Sequence, residues 1–186
     1  DIEMSFDDFF PATIDAFRWN GTTPGKGEIY GIPKDFTTVG FYWNKDLFER
    51  AGASSPTKDW TWDDFAEAAR KIASLKDCTG AEFVTWPFIL RTYLWTQGTD
   101  ITSENSWSTL ELDNPKFLNA LEQLRSWRFD EKNTLAKAQA EGIDPASLFF
   151  TGKIGMVGPF GRWVVPSFRS IENFDWDFAV LPRGDQ

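Results

Sequence analysis

The chain has 186 residues and a formal net charge of −9, so we expect no nucleic-acid partner, because phosphate binding requires a basic face. It contains one cysteine, Cys78, and no histidine. This composition excludes an internal disulfide, a cysteine-based zinc site and the Ser-His-Asp and Cys-His nucleophile systems. We expect neither a metal site nor a cofactor.

Hydrophobic residues make up 41% of the chain and charged residues 25%, as in folded soluble proteins. No apolar run reaches about 18 residues, so no segment is predicted to span a membrane, and no signal peptide is visible. Aromatic residues make up 17% of the chain, and ten of them are Trp. Most of these rings are expected in a core, but the Trp content also suggests exposed ring faces of the kind that stack on sugars.

The N-terminal stretch predicts a helix over residues 5–18, capped by Ser5 and open to division at Pro11. A loop rich in Gly and Pro follows at 22–27, and a short strand is predicted at 28–32.

Residues 31–52 predict a loop, a strand, a tight turn and a helix. The strand covers 38–43, where Val, Phe, Tyr and Trp favour extended backbone. Asn44 is suited to cap the helix that follows, and Gly52 is suited to end it in the left-handed conformation.

Thr61 and Asp64 have the spacing of a capping box. The helix that they start carries an apolar stripe that includes Trp62, which is therefore expected in the core. Residues 82–98 begin as a strand and continue as a helix with Pro87 in its first turn.

The C-terminal half continues the mixture of helices and strands. Asn114 and Pro115 predict the start of a helix. The mixture favours an α/β fold. The other predicted elements are an irregular hairpin at 101–112, a helix or mobile surface at 132–144, a strand at 153–157, a loop at 158–163 leading into a short helix, and a strand at 175–181.

Several ordered motifs resemble the sugar-binding branch of the extracellular solute-binding proteins, the receptor subunits of bacterial ABC importers. The first comprises Gly31-Ile32-Pro33, Tyr42-Trp43-Asn44-Lys45-Asp46-Leu47-Phe48 and Ala51-Gly52. The second runs from Phe150 to Met156, with Gly155 in place of the usual Ala, and continues into the Gly158–Trp163 segment. The resemblance covers nearly the whole chain.

This resemblance implies a periplasmic-binding-protein-like (type II) α/β fold, mostly the second lobe with its two hinge-crossing strands. It places a piece of the first lobe and the first hinge segment at 1–36, the second lobe at 37–178 and a return crossing strand at 179–186. Members of the family are longer, so we expect the first sheet of the first lobe to precede Asp1 and further helices to follow Gln186.

The resemblance also implies function: non-catalytic binding of a mono- or oligosaccharide in an interlobe cleft, where sugars stack on aromatic residues. The expected partners are ABC permease subunits in the membrane. We expect a monomer with an extracytoplasmic location, periplasmic or lipid-anchored at the cell surface. The candidate ligand-binding residues are Asp35, Phe36, Phe83, Trp95, Phe160, Gly161, Arg162 and Trp163.

Alternative roles remain for several of these residues. Asp35 is also suited to cap a turn, and Arg162 to pair with a surface carboxylate. The rival functions are a glycoside hydrolase, which requires two carboxylates on either side of a cleft, a carbohydrate-binding module, and a module that binds protein through its aromatic surface. Asp35, Glu82, Asp100 and Asp175 are available as acids, but no spacing singles out a pair.

Overall fold

The computed structural model describes residues 5–103, 106–131, 133–134 and 142–184. It divides the chain into two compact units. The first consists of Asp1–Thr37 and Ile101–Leu112, and the second of Thr38–Asp100 and Asp113–Gln186. The segment 101–112 thus groups with the first unit, whereas the family resemblance implied a place in the second lobe. Within the described residues, no helix has the length and apolarity needed to cross a membrane.

The described elements are named here in chain order. The α-helices are α1 (Pro11–Asp15), α2 (Lys45–Ala51), α3 (Trp62–Ala73), α4 (Pro87–Thr96), α5 (Pro115–Arg125), α6 (Pro145–Phe149) and α7 (Val165–Phe168). The strands are β1 (Arg18–Trp19), β2 (Glu28–Ile29), β3 (Gly40–Asn44), β4 (Thr79–Phe83), β5 (Thr102–Ser103), β6 (Ser106–Leu110), β7 (Ile154–Phe160) and β8 (Trp176–Val180). The predicted helix or mobile surface at 132–144 lies mostly outside the described residues.

The first unit contains two short antiparallel pairs, β1 with β2 and β5 with β6. The helix predicted at 5–18 is divided: a 3-10 turn at Phe6–Asp8 is followed by α1. The division falls at Pro11, whose ring removes a backbone donor and restricts the preceding residue to extended conformations. Ser5 caps the first turn by accepting from the Asp7 N–H at 3.2 Å. The pairing of β5 with β6 has a shifted register, so the predicted irregular hairpin is confirmed.

The second unit is built on a four-stranded sheet with the order β4-β7-β3-β8. Strand β7 runs parallel to β4 and antiparallel to β3, and β3 runs antiparallel to β8. All five residues of β3 are buried, as expected for an inner strand with both faces covered. The mixed sheet and its connecting helices confirm the predicted α/β class.

The helix ends follow the predicted local signals. Asn44 accepts a hydrogen bond from the Leu47 N–H at 3.0 Å, and Gly52 ends α2 with a φ of 60°. Thr61 and Asp64 form the reciprocal capping box at the start of α3. Helix α5 begins at Pro115 with Asn114 as its cap.

Much of the aromatic content is used in packing. On one face of the sheet, β3 and β4 contribute Phe41 and Phe83 to a cluster in which neighbouring ring centroids lie 4.8 to 6.4 Å apart. On the other face, Tyr42 contacts Phe168 and Trp176. The first cluster comprises Phe41, Trp60, Trp62, Phe65, Phe83, Tyr93 and Trp127.

Strand β7 is longer than predicted. All seven of its residues are buried, and Gly158, Pro159 and Phe160 extend the strand instead of forming the predicted loop. Gly158 and Phe160 pair with Phe83 of β4 and Gly40 of β3 respectively. The sheet neighbours on both sides therefore override the local turn preference of Gly and Pro.

Gly155 lies where β7 packs closely against β4 and α3. A Cβ at this position would lie 2.5 Å from the Gly80 carbonyl oxygen and 2.6 Å from Ile72 Cδ1. We expect Gly155→Ala to destabilise the fold by about 1–3 kcal/mol through overpacking, as measured by denaturant unfolding. Because Ile72→Val removes one of the two clashing atoms, the double variant should lose less stability than the sum of the single variants. A strictly additive or more than additive loss would contradict this packing.

Candidate functional site

The candidate site is a cavity beside Trp163 in the second unit. It has a volume of about 340 Å³, which lies within the range of small-molecule sites. Its wall combines aromatic rings with hydroxyls and one carboxylate. The described residues that line it are Trp86, Asp144, Ala146, Ser147, Phe150, Phe160, Trp163, Val164 and Ser167.

Trp163 is held at this cavity by the residues on either side of it. Strand β7 ends at Phe160, and a 3-10 turn at Arg162–Val164 leads directly into α7. The Tyr42 hydroxyl donates to the Gly161 carbonyl at 3.2 Å, which fixes the start of the turn. Val164 is buried on the core side, so Trp163 faces outward and remains 43% exposed.

Polar groups of the cavity come from α6 and α7. Asp144 caps α6, accepting from the Ser147 N–H at 3.0 Å and the Ser147 hydroxyl at 3.2 Å. Ser167 adds an exposed hydroxyl from α7. The cavity therefore offers acceptors and hydroxyls next to ring faces, an arrangement that suits a ligand with both apolar and hydroxyl-bearing surfaces.

Trp86 also lines the cavity and was not among the predicted site residues. It is the N-cap of α4, with Pro87 at the first helical position, and it is 38% exposed. Its ring centroid lies 5.7 Å from that of Phe160 and 5.9 Å from that of Phe88. The sequence signal for this position is the Trp-Pro pair. Pro87 at the first helical position places Trp86 outside the first turn of α4.

Phe83 and Phe160 are buried in this structure. Phe83 lies within the aromatic cluster on β3 and β4, in contact with Trp62 and Tyr93. Phe160 is enclosed between Trp86 and Trp163 and forms the floor of the cavity. Enclosed rings offer no free face to a sugar, so we reassign both residues from stacking to packing.

Trp95 is exposed and held in a fixed orientation. The ring is 57% exposed, and its Nε1–H donates to Asp100 Oδ2 at 2.9 Å. Arg91 donates to the same oxygen through Nε at 3.0 Å and Nη2 at 2.8 Å. The Arg91 guanidinium carbon lies 5.8 Å from the centroid of the Trp95 ring, within cation–π range. Trp95 does not line the cavity beside Trp163.

The other predicted residues occupy different places. Phe36 belongs to the first unit, where it is exposed and packs edge-on against Phe10 with centroids 5.3 Å apart. Asp35 is exposed, with the Lys34 ammonium 3.7 Å away. In the second unit, Gly161 is buried and Arg162 is exposed beside Trp163.

The acids considered for a hydrolase have other environments. Glu82 is buried beside Arg128, and Asp100 is engaged by Arg91 and Trp95. The described part of the chain contains no group of three or more His, Cys, Asp or Glu residues that is arranged to hold a metal ion.

Comparisons with known proteins agree on a family. The family model described as bacterial extracellular solute-binding protein matches residues 3–186. A putative binding protein of Brucella abortus (strain 2308) is 29% identical over 166 residues, which make up 85% of this chain and 39% of that protein. The chain thus spans about two-fifths of the length of the curated relatives that it matches.

Solved structures of similar proteins share the fold. An ABC substrate-binding protein from Listeria monocytogenes, in complex with cycloalternan, aligns with a TM-score of 0.80 and 31% identity over 96% of this chain and 45% of that one. The GacH receptor of Streptomyces glaucescens aligns with a TM-score of 0.74 and 22% identity over 96% and 44%. UgpB from Mycobacterium tuberculosis, in complex with glycerophosphocholine, aligns with a TM-score of 0.76 and 19% identity over the same shares.

These alignments confirm the predicted periplasmic-binding-protein-like fold, and the family match extends over almost every residue of the sequence. The chain belongs to the bacterial extracellular solute-binding protein family.

Proposed function

We propose that this chain is part of a non-catalytic receptor that binds a neutral sugar or oligosaccharide for an ABC importer. The observation that carries the proposal is the exposed Trp163 ring at the edge of a cavity of about 340 Å³. Asp144, Ser147 and Ser167 line the same cavity. A sugar ring has an apolar C–H face and a hydroxyl rim, and this wall has a partner for each.

The energies of these contacts are sufficient for a receptor. A stacked ring that buries roughly 60–100 Å² contributes about 2 kcal/mol at about 25 cal/mol/Å². A hydroxyl that hydrogen-bonds a carboxylate contributes about 1.5–3 kcal/mol. A few such contacts give about −8 kcal/mol after ordering costs, which corresponds to micromolar affinity.

The charge of the cavity favours a neutral ligand. Asp144 is the one ionisable group among its described lining residues. A phosphate or carboxylate ligand would approach this acid without a lining cation to balance it. The charge of the ligand has to be argued from the cavity because similar folds bind different solutes. The Listeria protein was solved with cycloalternan and UgpB with glycerophosphocholine.

The remaining candidate residues take secondary roles in this proposal. Trp95 offers a second exposed ring, and Asp35, Phe36 and Arg162 are further candidates for ligand contacts. In the intact receptor, ligand shifts the population toward a form that engages the permease subunits in the membrane. The receptor acts as a monomer outside the cytoplasm, in the periplasm or anchored by lipid at the cell surface.

Trp163→Ala tests the proposal. We expect sugar affinity of the full-length protein to fall at least tenfold, or about 1.4 kcal/mol, because the stacking face is lost. The unfolding free energy should change little, since the ring is exposed. Isothermal titration against a panel of mono- and oligosaccharides measures the affinity, and Trp163→Phe, which keeps a ring, should retain most of it. An unchanged affinity would remove Trp163 from the site, and a panel without any binding sugar would overturn the sugar proposal.

A further inference from the structure

A second cavity lies in the second unit, between the end of β4 and the end of α5. It has a volume of about 160 Å³ and shares no described lining residue with the cavity beside Trp163. Its apolar wall consists of the buried Phe83 and Trp127, the half-buried Leu124 and Phe129, which is 56% exposed. In another protein, an apolar cavity of about 150 Å³ holds one benzene ring. This cavity therefore has the size and the wall to hold a single ring.

The backbone makes an unusual turn at this cavity. Helix α5 ends at Arg125 and continues into a π-helical turn at Ser126–Asp130, in which the Glu131 N–H donates to the Ser126 carbonyl at 2.9 Å. The turn supplies three of the lining residues, which are Trp127, Arg128 and Phe129. Because π-helical turns are rare and occur frequently at functional sites, this turn supports a ligand-binding role for the cavity.

Arg128 brings a guanidinium with unused donors to the wall. Its side chain is only 18% exposed. Nη2 donates to the Phe83 carbonyl at 3.2 Å and lies 3.7 Å from Glu82 Oε1, which is too far for a hydrogen bond. Nε and Nη1 have no acceptor among the described residues. A largely buried cation with unused donors favours an anionic ligand, and the planar guanidinium matches the geometry of a carboxylate.

The other polar groups of the wall favour a single negative charge on the ligand. Thr134 is buried and Thr85 is exposed, and neither hydroxyl forms a hydrogen bond within the described part of the chain. The second lining cation, Arg125, is already paired with Glu122 at 2.7 Å and Asp130 at 2.6 Å. One guanidinium is thus available, which suits a carboxylate better than a doubly charged phosphate.

We infer that this cavity is a second ligand site, which binds a small carboxylate whose apolar body is a single ring. The carboxylate accepts hydrogen bonds from the Arg128 guanidinium and the Thr134 hydroxyl, and the ring packs against Trp127 and Phe129. The inference does not depend on the proposed sugar site, because the two cavities have different walls.

Three probes that differ in charge and apolar body test this inference. Isothermal titration of the full-length protein at constant ionic strength compares benzoate with benzamide, which keeps the ring without the charge, and with acetate, which keeps the charge without the ring. We expect benzoate to bind at least tenfold more tightly than either. Inorganic phosphate should bind no better than acetate. Benzoate binding that is absent, or that is matched by benzamide or by phosphate, would overturn the inference.

Variants of the Glu82–Arg128 pair place the bound carboxylate. Glu82→Gln keeps the Arg128 charge and removes the competing carboxylate, so benzoate should bind at least as tightly as to the wild type. The double variant Glu82→Gln/Arg128→Gln leaves no unpaired buried charge, and it should bind benzoate at least tenfold more weakly. Arg169→Gln is the matched control, because Arg169 is exposed in the same unit and lies outside the cavity.

Thermal unfolding of each variant shows whether it is folded. Undiminished benzoate binding by a folded double variant, or an equal loss in Arg169→Gln, would contradict the role of Arg128. If the double variant does not fold, the comparison of benzoate with benzamide on the wild-type protein decides the question.

Discussion

Trp62→Ala is expected to destabilise the protein by about 3–5 kcal/mol, the range for truncating a buried aromatic side chain. Trp62 is buried at the start of α3, and its ring contacts those of Phe41, Phe65 and Tyr93 with centroids 4.9 to 6.1 Å apart. Removing it leaves a cavity among large rigid rings that cannot collapse easily. A domain typically has a free energy of unfolding of about 5–15 kcal/mol, so this single substitution removes a large part of the stability.

The loss should come mainly from packing. The Trp62 Nε1–H donates to the Thr96 hydroxyl at 2.8 Å, and that hydroxyl itself donates to the Tyr93 carbonyl at 2.7 Å. Truncation therefore leaves the Thr96 donor satisfied. Trp62→Phe should be intermediate, and Trp163→Ala supplies the same chemical change at an exposed position. Chemical denaturation of the three variants measures the difference, and equal losses at positions 62 and 163 would contradict the core placement of Trp62.

The parts of the fold that could be predicted are those set by neighbours in sequence. The Asn44 and Thr61 caps and the left-handed Gly52 each depend on bonds or backbone preferences within four residues. The end of β7 could not be predicted in this way. Gly158 and Pro159 favour a turn locally, and their strand conformation depends on β3 and β4, which lie far away in sequence.

The candidate site was predictable only in part, because it also depends on contacts between residues that lie far apart in sequence. The glycines before Trp163 and its place at the start of a helix indicated an accessible ring. The family resemblance also pointed to Phe83, but a resemblance gives a position and not its burial. Here Trp62, Tyr93 and Trp127 enclose that side chain. Asp144, Ser147 and Ser167 meet Trp86 only through the tertiary fold, so no local pattern singled them out.

Glu82 gives the fold a dependence on pH. Glu82 lies on β4 and is 5% exposed, and its Oε2 has no hydrogen-bond partner among the described residues. Burial raises the pKa of Glu82 to about 7, although Arg128, whose Nη2 lies 3.7 Å from Oε1, opposes the rise. The unfolded chain has an ordinary pKa near 4.5, so between these two values the folded state binds the extra proton.

Stability should therefore fall as pH rises. Below pH 4.5 the carboxyl is protonated in both states and Glu82 contributes no penalty. Between pH 4.5 and about 7 the unfolded chain ionises first, and the folded state loses up to ~3 kcal/mol relative to it. Above that window both states are ionised and the loss stays constant.

Glu82→Gln isolates this contribution because it removes the titrating group and keeps its shape. Relative to the wild type, the unfolding free energy of the variant should rise by up to ~3 kcal/mol between pH 4.5 and 7.5. Denaturant titrations of the full-length protein across this range measure it, with the exposed Glu49→Gln as the control. The attraction between ionised Glu82 and Arg128 is already contained in the pKa of about 7, so its loss in the variant adds no second pH-dependent contribution. The slope against pH is the test, and parallel curves for wild type and Glu82→Gln would show that folding does not raise the pKa of Glu82.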